Sequence, residues 1–220
     1  MRTVLVTGAN RGIGYELCRQ YAARGDRVVA CCRGADPELT SLGVRVEEGV
    51  DVTRMETLDD LAHRLGGTTL DIVVNNAGVL ERDSLPELDI EAVRRQFDVN
   101  ALGPLRVTKA LMSRLARGAK IAIITSQMGS IADNRSGAMY GYRMSKAAVN
   151  AAGVSLARDL AECEVAVALL HPGYVKTRMT NGHGNIGADQ SASWLIERID
   201  ELSVANSGRF LHANGSELPW

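Results

Sequence analysis

Short apolar runs alternate along this chain with longer segments whose apolar residues recur at helical spacing. The runs Thr3–Thr7, Arg27–Cys32, Val44–Glu48, Ile72–Asn75, Lys120–Thr125, Val165–His171 and Phe210–Ala213 are of strand length. They lack the polar alternation of a sheet that is wet on one face. Near-continuous apolar strands are instead those buried on both faces, the condition of a parallel sheet between two helical layers. Helices are predicted over Ile13–Arg24, Met55–Leu65, Ile90–Phe97, Leu102–Ala116, Tyr142–Ala161 and Ser191–Leu202. Strand and helix in this repeated order predict an α/β, Rossmann-like, doubly wound parallel sheet of about seven strands with right-handed crossovers. No repeat or linker divides the chain, so residues 1–220 read as one domain. The stretch Thr177–Asp189, rich in Gly, Asn and His, reads as a loop.

Composition narrows the function. Lys and Arg number 25 against 26 for Asp and Glu, a net charge of -1. That balance excludes a strongly basic nucleic-acid binder and an acidic tail. No apolar run reaches the length of a signal core or a membrane span, so neither a secretory nor a membrane location is expected. The cysteines Cys18, Cys31, Cys32 and Cys163 form no CxxC pair and no metal-ligand spacing. Cys31 and Cys32 read as small core residues in a reducing compartment, so the expected location is cytoplasmic and no metal is expected.

The first strand runs directly into Thr7-Gly8-Ala9-Asn10-Arg11-Gly12-Ile13-Gly14, and a helix follows. Strand, glycine turn and helix start make a phosphate cradle. Glycines let the backbone approach a pyrophosphate, and the helix N-terminus supplies N–H groups and a positive dipole. The spacing is G-x3-G-x-G, so an ordinary glycine-rich turn is the rival reading. The second strand ends at Arg33 rather than at an acid. An acid there would take the 2′-hydroxyl of NAD, whereas an arginine takes the 2′-phosphate of NADP. Arg11, in the turn, can serve the same dianion. Asp36 is the competing ribose ligand, which would favour NAD(H), but it precedes Pro37 and reads as a loop residue.

Tyr142 and Lys146 lie four apart at the start of a long predicted helix, hence on one face. A neighbouring ammonium would lower the phenol's pKa and let Tyr142 exchange a proton near neutrality. Ser126 lies just past a predicted buried strand segment, at the edge where open α/β sheets bind ligands. A hydroxyl there can hold a substrate carbonyl. Each feature has a bland alternative when taken alone: a surface helix pair, or a serine capping a turn.

Together these residues resemble the short-chain dehydrogenase/reductases, in their compact single-domain branch. Thr7 to Gly14 matches T-G-x3-G-x-G. Asp51-Val52 is similar to the pair at the adenine ring, and Asn75-Asn76-Ala77-Gly78 matches N-N-A-G. Asn100 matches the Asn of the catalytic tetrad, Ser126 the Ser of S-x-x-G, and Tyr142 and Lys146 the Y-x3-K pair. Pro172-Gly173-Tyr174-Val175-Lys176-Thr177 matches P-G-x-V-x-T. Met128–Asn134, the tail Ser207–Leu211 and Leu218-Pro219-Trp220 resemble the C-factor/sniffer carbonyl-reductase subgroup, usually assigned NADPH.

The resemblance implies a single dinucleotide-binding oxidoreductase domain that moves a hydride between NADP(H) and a small carbonyl or alcohol. It implies catalytic Asn100, Ser126, Tyr142 and Lys146. Ser126 would orient the carbonyl, Tyr142 would donate the proton, and Lys146 would lower the Tyr142 pKa and bind ribose. Asn100 would hold a relay water. Gly8, Asn10, Arg11, Gly12, Ile13, Gly14, Arg33, Asp51, Val52, Asn75, Ala77, Gly78, Tyr142, Lys146, Pro172, Gly173, Val175 and Thr177 would contact the cofactor. In the family the helices equivalent to Leu102–Ala116 and Tyr142–Ala161 pair between subunits, so a homodimer or homotetramer is expected. The short loop after Thr177 predicts an open pocket. The rival classes are a non-catalytic NADP(H)-binding regulator and a methyltransferase with a related glycine turn.

Overall fold

The computed structural model describes all 220 residues. Seven strands form one parallel sheet: β1 (Thr3–Thr7), β2 (Arg27–Cys31), β3 (Arg45–Glu47), β4 (Leu70–Asn75), β5 (Leu115–Ile124), β6 (Ala166–His171) and β7 (Phe210–His212). Their order is β3-β2-β1-β4-β5-β6-β7. The helices are α1 (Gly12–Ala23), α2 (Pro37–Thr40), α3 (Met55–Leu65), α4 (Ile90–Phe97), α5 (Gly103–Leu111), α6 (Tyr140–Asp159) and α7 (Ala188–Glu201). The expected doubly wound fold is the one observed.

The strand composition explains the layering. In β1, Val4 and Val6 pack into a layer with Leu17, Tyr21, Leu195 and Ile199. Leu5, between them, packs into the opposite layer with Leu58, Leu61, Val107 and Leu169. Both faces of the strand are apolar because both are covered. The winding direction reverses between β1 and β4. A crevice opens there at the carboxyl ends of the strands, where ligands of such sheets bind.

Several boundaries differ from the sequence reading. The helix expected over Leu102–Ala116 is broken. A π-helical turn covers Asp98–Leu102, α5 stops at Leu111, and β5 begins at Leu115 rather than Lys120. Gly118, at φ 79°, and a register break between Leu70 and Ile72 let Leu115 pair with Leu70. Helix α6 starts at Tyr140 instead of Tyr142, and α7 at Ala188 instead of Ser191. The short α2, begun by Pro37, was not expected.

Candidate active site

The cradle is built around Gly8, Gly12 and Gly14. Gly8 and Gly12 have φ of 64° and 56°, a region that costs glycine nothing. Gly14 is required by contact rather than by φ. A Cβ there would lie 2.3 Å from the Gly8 carbonyl oxygen and 2.5 Å from Asn76 Nδ2. Helix α1 opens behind this turn with no side-chain cap and no acid in its first turn. Its leading N–H groups and positive dipole end are therefore free for an anion, as the pyrophosphate of a dinucleotide requires. Arg11 and Arg33 are exposed, and neither makes an ion pair. Asp36 is an exposed residue at the start of α2, near enough to Cys32, just past β2, to help raise that thiol's pKa.

Asn76 does the work of closing the cradle. Its Nδ2 donates to the carbonyls of Thr7 (3.0 Å) and Gly8 (3.1 Å), while Thr7 Oγ1 accepts from the N–H groups of Asn76 and Ala77. Sequence reading quoted Asn76 but gave it no role. The signal was Thr7, a polar residue at the end of an apolar strand. Asn75, expected at the cofactor, ends β4 with its side chain buried. Both its amide atoms lack a hydrogen-bond partner within the chain.

Thr177 arrives from the far side of the sheet. Its methyl group lies 3.5 Å from where a Cβ of Gly12 would stand. It caps a 3₁₀ turn with Thr180, which fixes its backbone over the glycine turn. Gly173, at φ 90°, makes the turn that leads there, and the carbonyl of Pro172 accepts from Ser191 Oγ (2.8 Å). Val175 is buried and bridges to Ile186. Asp51 accepts from the N–H and hydroxyl of Thr53. Burial pushes the Asp51 carboxyl up, but these bonds and Arg33 hold it below its ordinary value. Val52 packs where a side chain on Gly103 would stand.

Ser126, Tyr142, Lys146 and Asn100 are all buried and meet at the same edge. The Ser126 hydroxyl lies near enough to the Tyr142 phenol to favour its charged form. Ser126 Oγ also accepts from the Met128 N–H at 3.1 Å. Lys146 Nζ stands 5.7 Å from the Tyr142 ring centroid and donates to the Ile124 carbonyl at 2.8 Å. Gly78 closes the gap to the cradle: a Cβ there would lie 3.3 Å from Asn100 Oδ1 and 3.9 Å from Lys146 Nζ.

One expectation is corrected by this geometry. Lys146 was expected to pull the Tyr142 pKa down. In the free chain, burial pushes the phenol up to about 12, and the opposing influence is the neighbouring Ser126 hydroxyl. Desolvation of an aromatic hydroxyl penalises its charged form. The same burial drops the Lys146 ammonium to about 8. Asn100 is tied into the same edge by its side chain. Its Nδ2 donates to the Val79 carbonyl and to Ser145 Oγ, and its Oδ1 accepts from the Val79 N–H. The Asn100 carbonyl has no α-helical donor. Its α-helical partner would be residue 104, which is Pro104 and has no N–H, within a helix already widened to a π turn.

Nearby, His171 is held neutral. Burial lowers it to about 3, helped by His212 and Lys146. No three His, Cys, Asp or Glu side chains converge as a metal site would require. No helix is long and apolar enough to cross a membrane.

Comparisons with known proteins bear on this site. A family model described as short chain dehydrogenase matches residues 2–185. The chain is 45% identical to a 1-hydroxy-2-glutathionyl-2-methyl-3-butene dehydrogenase of Rhodococcus sp. (strain AD45), over 100% of both chains. Among solved structures it is similar to the carbonyl reductase Sniffer of D. melanogaster, with a TM-score of 0.93 and 26% identity over 100% of both chains. It is likewise similar to an NADPH-bound carbonyl reductase from chicken fatty liver, with a TM-score of 0.92 and 27% identity over 100% of this chain and 99% of that one.

Proposed function

The chain belongs to the short-chain dehydrogenase family, and from that membership and the geometry of the site we propose that it is an NADP(H)-dependent oxidoreductase acting on a carbonyl/alcohol pair. The observation that carries the reading is the grouping of two buried hydroxyl side chains, Ser126 and Tyr142, beside the Lys146 ammonium and one short strand end away from the cradle. The relative from Rhodococcus is a dehydrogenase, and the structural neighbour from chicken is an NADPH-bound carbonyl reductase. Both support the assignment.

The chain's groups divide the labour as follows. The α1 N-terminus and the glycine turn take the pyrophosphate. Arg33 and Arg11, neither of which is held in an ion pair, take the 2′-phosphate by charge-assisted hydrogen bonds. Thr177, capped over Gly12, fixes the nicotinamide end. When bound, the reduced cofactor supplies the hydride; the protein supplies orientation and electrostatics. Ser126 donates a hydrogen bond to the substrate carbonyl oxygen, and Tyr142 gives that oxygen its proton. The phenol's high pKa keeps it protonated until that moment. The phenolate left behind gains the Lys146 charge and the Ser126 hydrogen bond, which favour the charged form once it exists. Asn100, whose carbonyl lacks an α-helical donor because residue 104 is Pro104, holds a relay water behind Lys146.

The test is a binding titration with NADPH and NADH. NADPH should bind at least about tenfold tighter, a difference of about 1.4 kcal/mol. Arg33→Ala should remove most of that preference. Tighter binding of NADH would transfer the ribose to Asp36, and binding of neither nucleotide would remove the cradle reading altogether. Binding without turnover of any carbonyl would point to the regulator.

The buried lysine adds a pH dependence. The ammonium has to be charged when the phenolate forms, and Lys146 loses its proton as pH rises through about 8. The rate of carbonyl reduction should therefore be level below pH 8 and fall above it. Arginine cannot deprotonate in this range, so the residual activity of Lys146→Arg should show no such limb. A wild-type rate that stays level up to pH 10 would refute the role of the ammonium.

A further inference from the structure

Ser126 and Tyr142 lie at opposite ends of one loop, and their hydroxyls meet only if that loop returns accurately. It does so through a left-handed turn. Gly137, Ala138 and Met139 follow one another at φ of 64°, 53° and 56°. Glycine adopts this region freely, but alanine and methionine meet a clash between Cβ and the following carbonyl oxygen. Two consecutive non-glycine residues there need something outside the turn to hold them.

That support comes from Asp83, on the loop after β4. Its carbonyl accepts from the Met139 N–H at 3.0 Å. Its Oδ1 accepts from the Tyr140 N–H at 2.5 Å, and its Oδ2 from the Gly141 N–H at 3.0 Å. Three consecutive amides end on one residue, and both carboxylate oxygens are used. Met139, the residue before α6, provides no side-chain cap of its own. Arg143 braces the other side of the turn, donating to the Ala138 carbonyl (3.2 Å) and to Ser136 Oγ (2.9 Å).

The consequence falls on Tyr142. It lies in the first turn of α6, so its direction follows from where and at what angle the helix begins. Lys146 is one turn further on and is anchored separately at the Ile124 carbonyl. We propose that Asp83 is a positioning residue for the proton transfer: its carboxylate holds the left-handed turn at Gly137–Met139 and thereby places the Tyr142 hydroxyl against Ser126. The inference rests on the reading of Tyr142 as the proton donor. Asp83 bonds none of the four candidate catalytic side chains.

Asp83→Asn keeps size and one acceptor oxygen but turns an NH2 toward one of the two amides. Reduction of a panel of small ketones, aldehydes and 1,2-dicarbonyls should show kcat lowered at least about tenfold, since small misplacements of a reacting group are costly. The NADPH Kd should stay within about twofold, because the cradle is untouched. Ala138→Gly, added to Asp83→Asn, lets the turn stay left-handed without the carboxylate and should recover at least about threefold in kcat. A kcat for Asp83→Asn within twofold of wild type would overturn the proposal. So would a parallel fall in kcat and NADPH affinity that Ala138→Gly does not repair, for that is general destabilisation. Tyr142→Phe, run beside these, separates the layers. If it turns over like wild type, or if wild type reduces nothing in the panel, the underlying reading fails and takes this inference with it.

Discussion

Tyr142→Phe should lower kcat for carbonyl reduction by about 10³-fold while leaving the NADPH Kd within about threefold. The loss corresponds to about 4 kcal/mol of transition-state stabilisation. The substitution is chemically narrow. Phenylalanine keeps the buried ring and its packing in the first turn of α6, and it removes only the hydroxyl that Ser126 neighbours. Ser126 keeps its bond from the Met128 N–H, so its position does not depend on the lost partner. The effect should therefore fall on kcat and not on binding of the cofactor. Steady-state kinetics together with a fluorescence titration of NADPH check it. A variant retaining more than a tenth of the wild-type kcat would show that the proton comes from elsewhere.

What the sequence makes legible follows from the range of the forces involved. The strands are visible because burial on both faces demands continuous apolar runs, and Leu5 between Val4 and Val6 records both layers at once. The glycine turn is visible because glycine adopts the φ of Gly8 and Gly12 without cost. Ser126 and the Tyr142-Lys146 pair are visible through local spacing and strand position. Helix starts are less legible, because tertiary partners set them. Helix α6 begins at Tyr140 because Asp83, distant in sequence, receives its first amides. Nothing within the helix records this. Helix α5 ends early because a β-bulge opposite Leu70 draws Leu115 into the sheet.

The site's electrostatics are less legible still. The Tyr142-Lys146 spacing suggests a charge that stabilises a phenolate. It does not carry the burial of both groups, which moves the phenol up and the ammonium down. Asn100 is legible as a motif residue but not as a satisfied one. Its side chain is hydrogen-bonded to Val79 and Ser145, contacts that lie far away in sequence. Asn76 is missed for the same reason: it acts on Thr7 and Gly8, at the other end of a parallel pairing between β1 and β4.

The glycine turn supplies the other large effect. Gly14 lies within α1 and has an ordinary helical backbone, so intrinsic propensity alone would make Gly14→Ala favourable by about 1 kcal/mol. Contact reverses that sign. The added Cβ would stand 2.3 Å from the Gly8 carbonyl oxygen, a backbone atom that cannot turn aside, and 2.5 Å from the Asn76 amide that closes the cradle. Either the turn or the start of α1 has to move, and both hold the amides that face the pyrophosphate. Gly14→Ala should weaken NADPH binding at least about 100-fold, or about 2.7 kcal/mol, and lower the melting temperature of the free chain. Gly67→Ala is the matched control. It has no positive φ and no atom within 4 Å of its would-be Cβ, so both properties should stay at wild-type values. Isothermal titration and thermal melts of the two variants decide the matter. A Gly14→Ala chain that binds NADPH within threefold of wild type would mean that the cofactor's phosphates do not rest on this turn, and the assignment of α1 as the anion site would have to be given up.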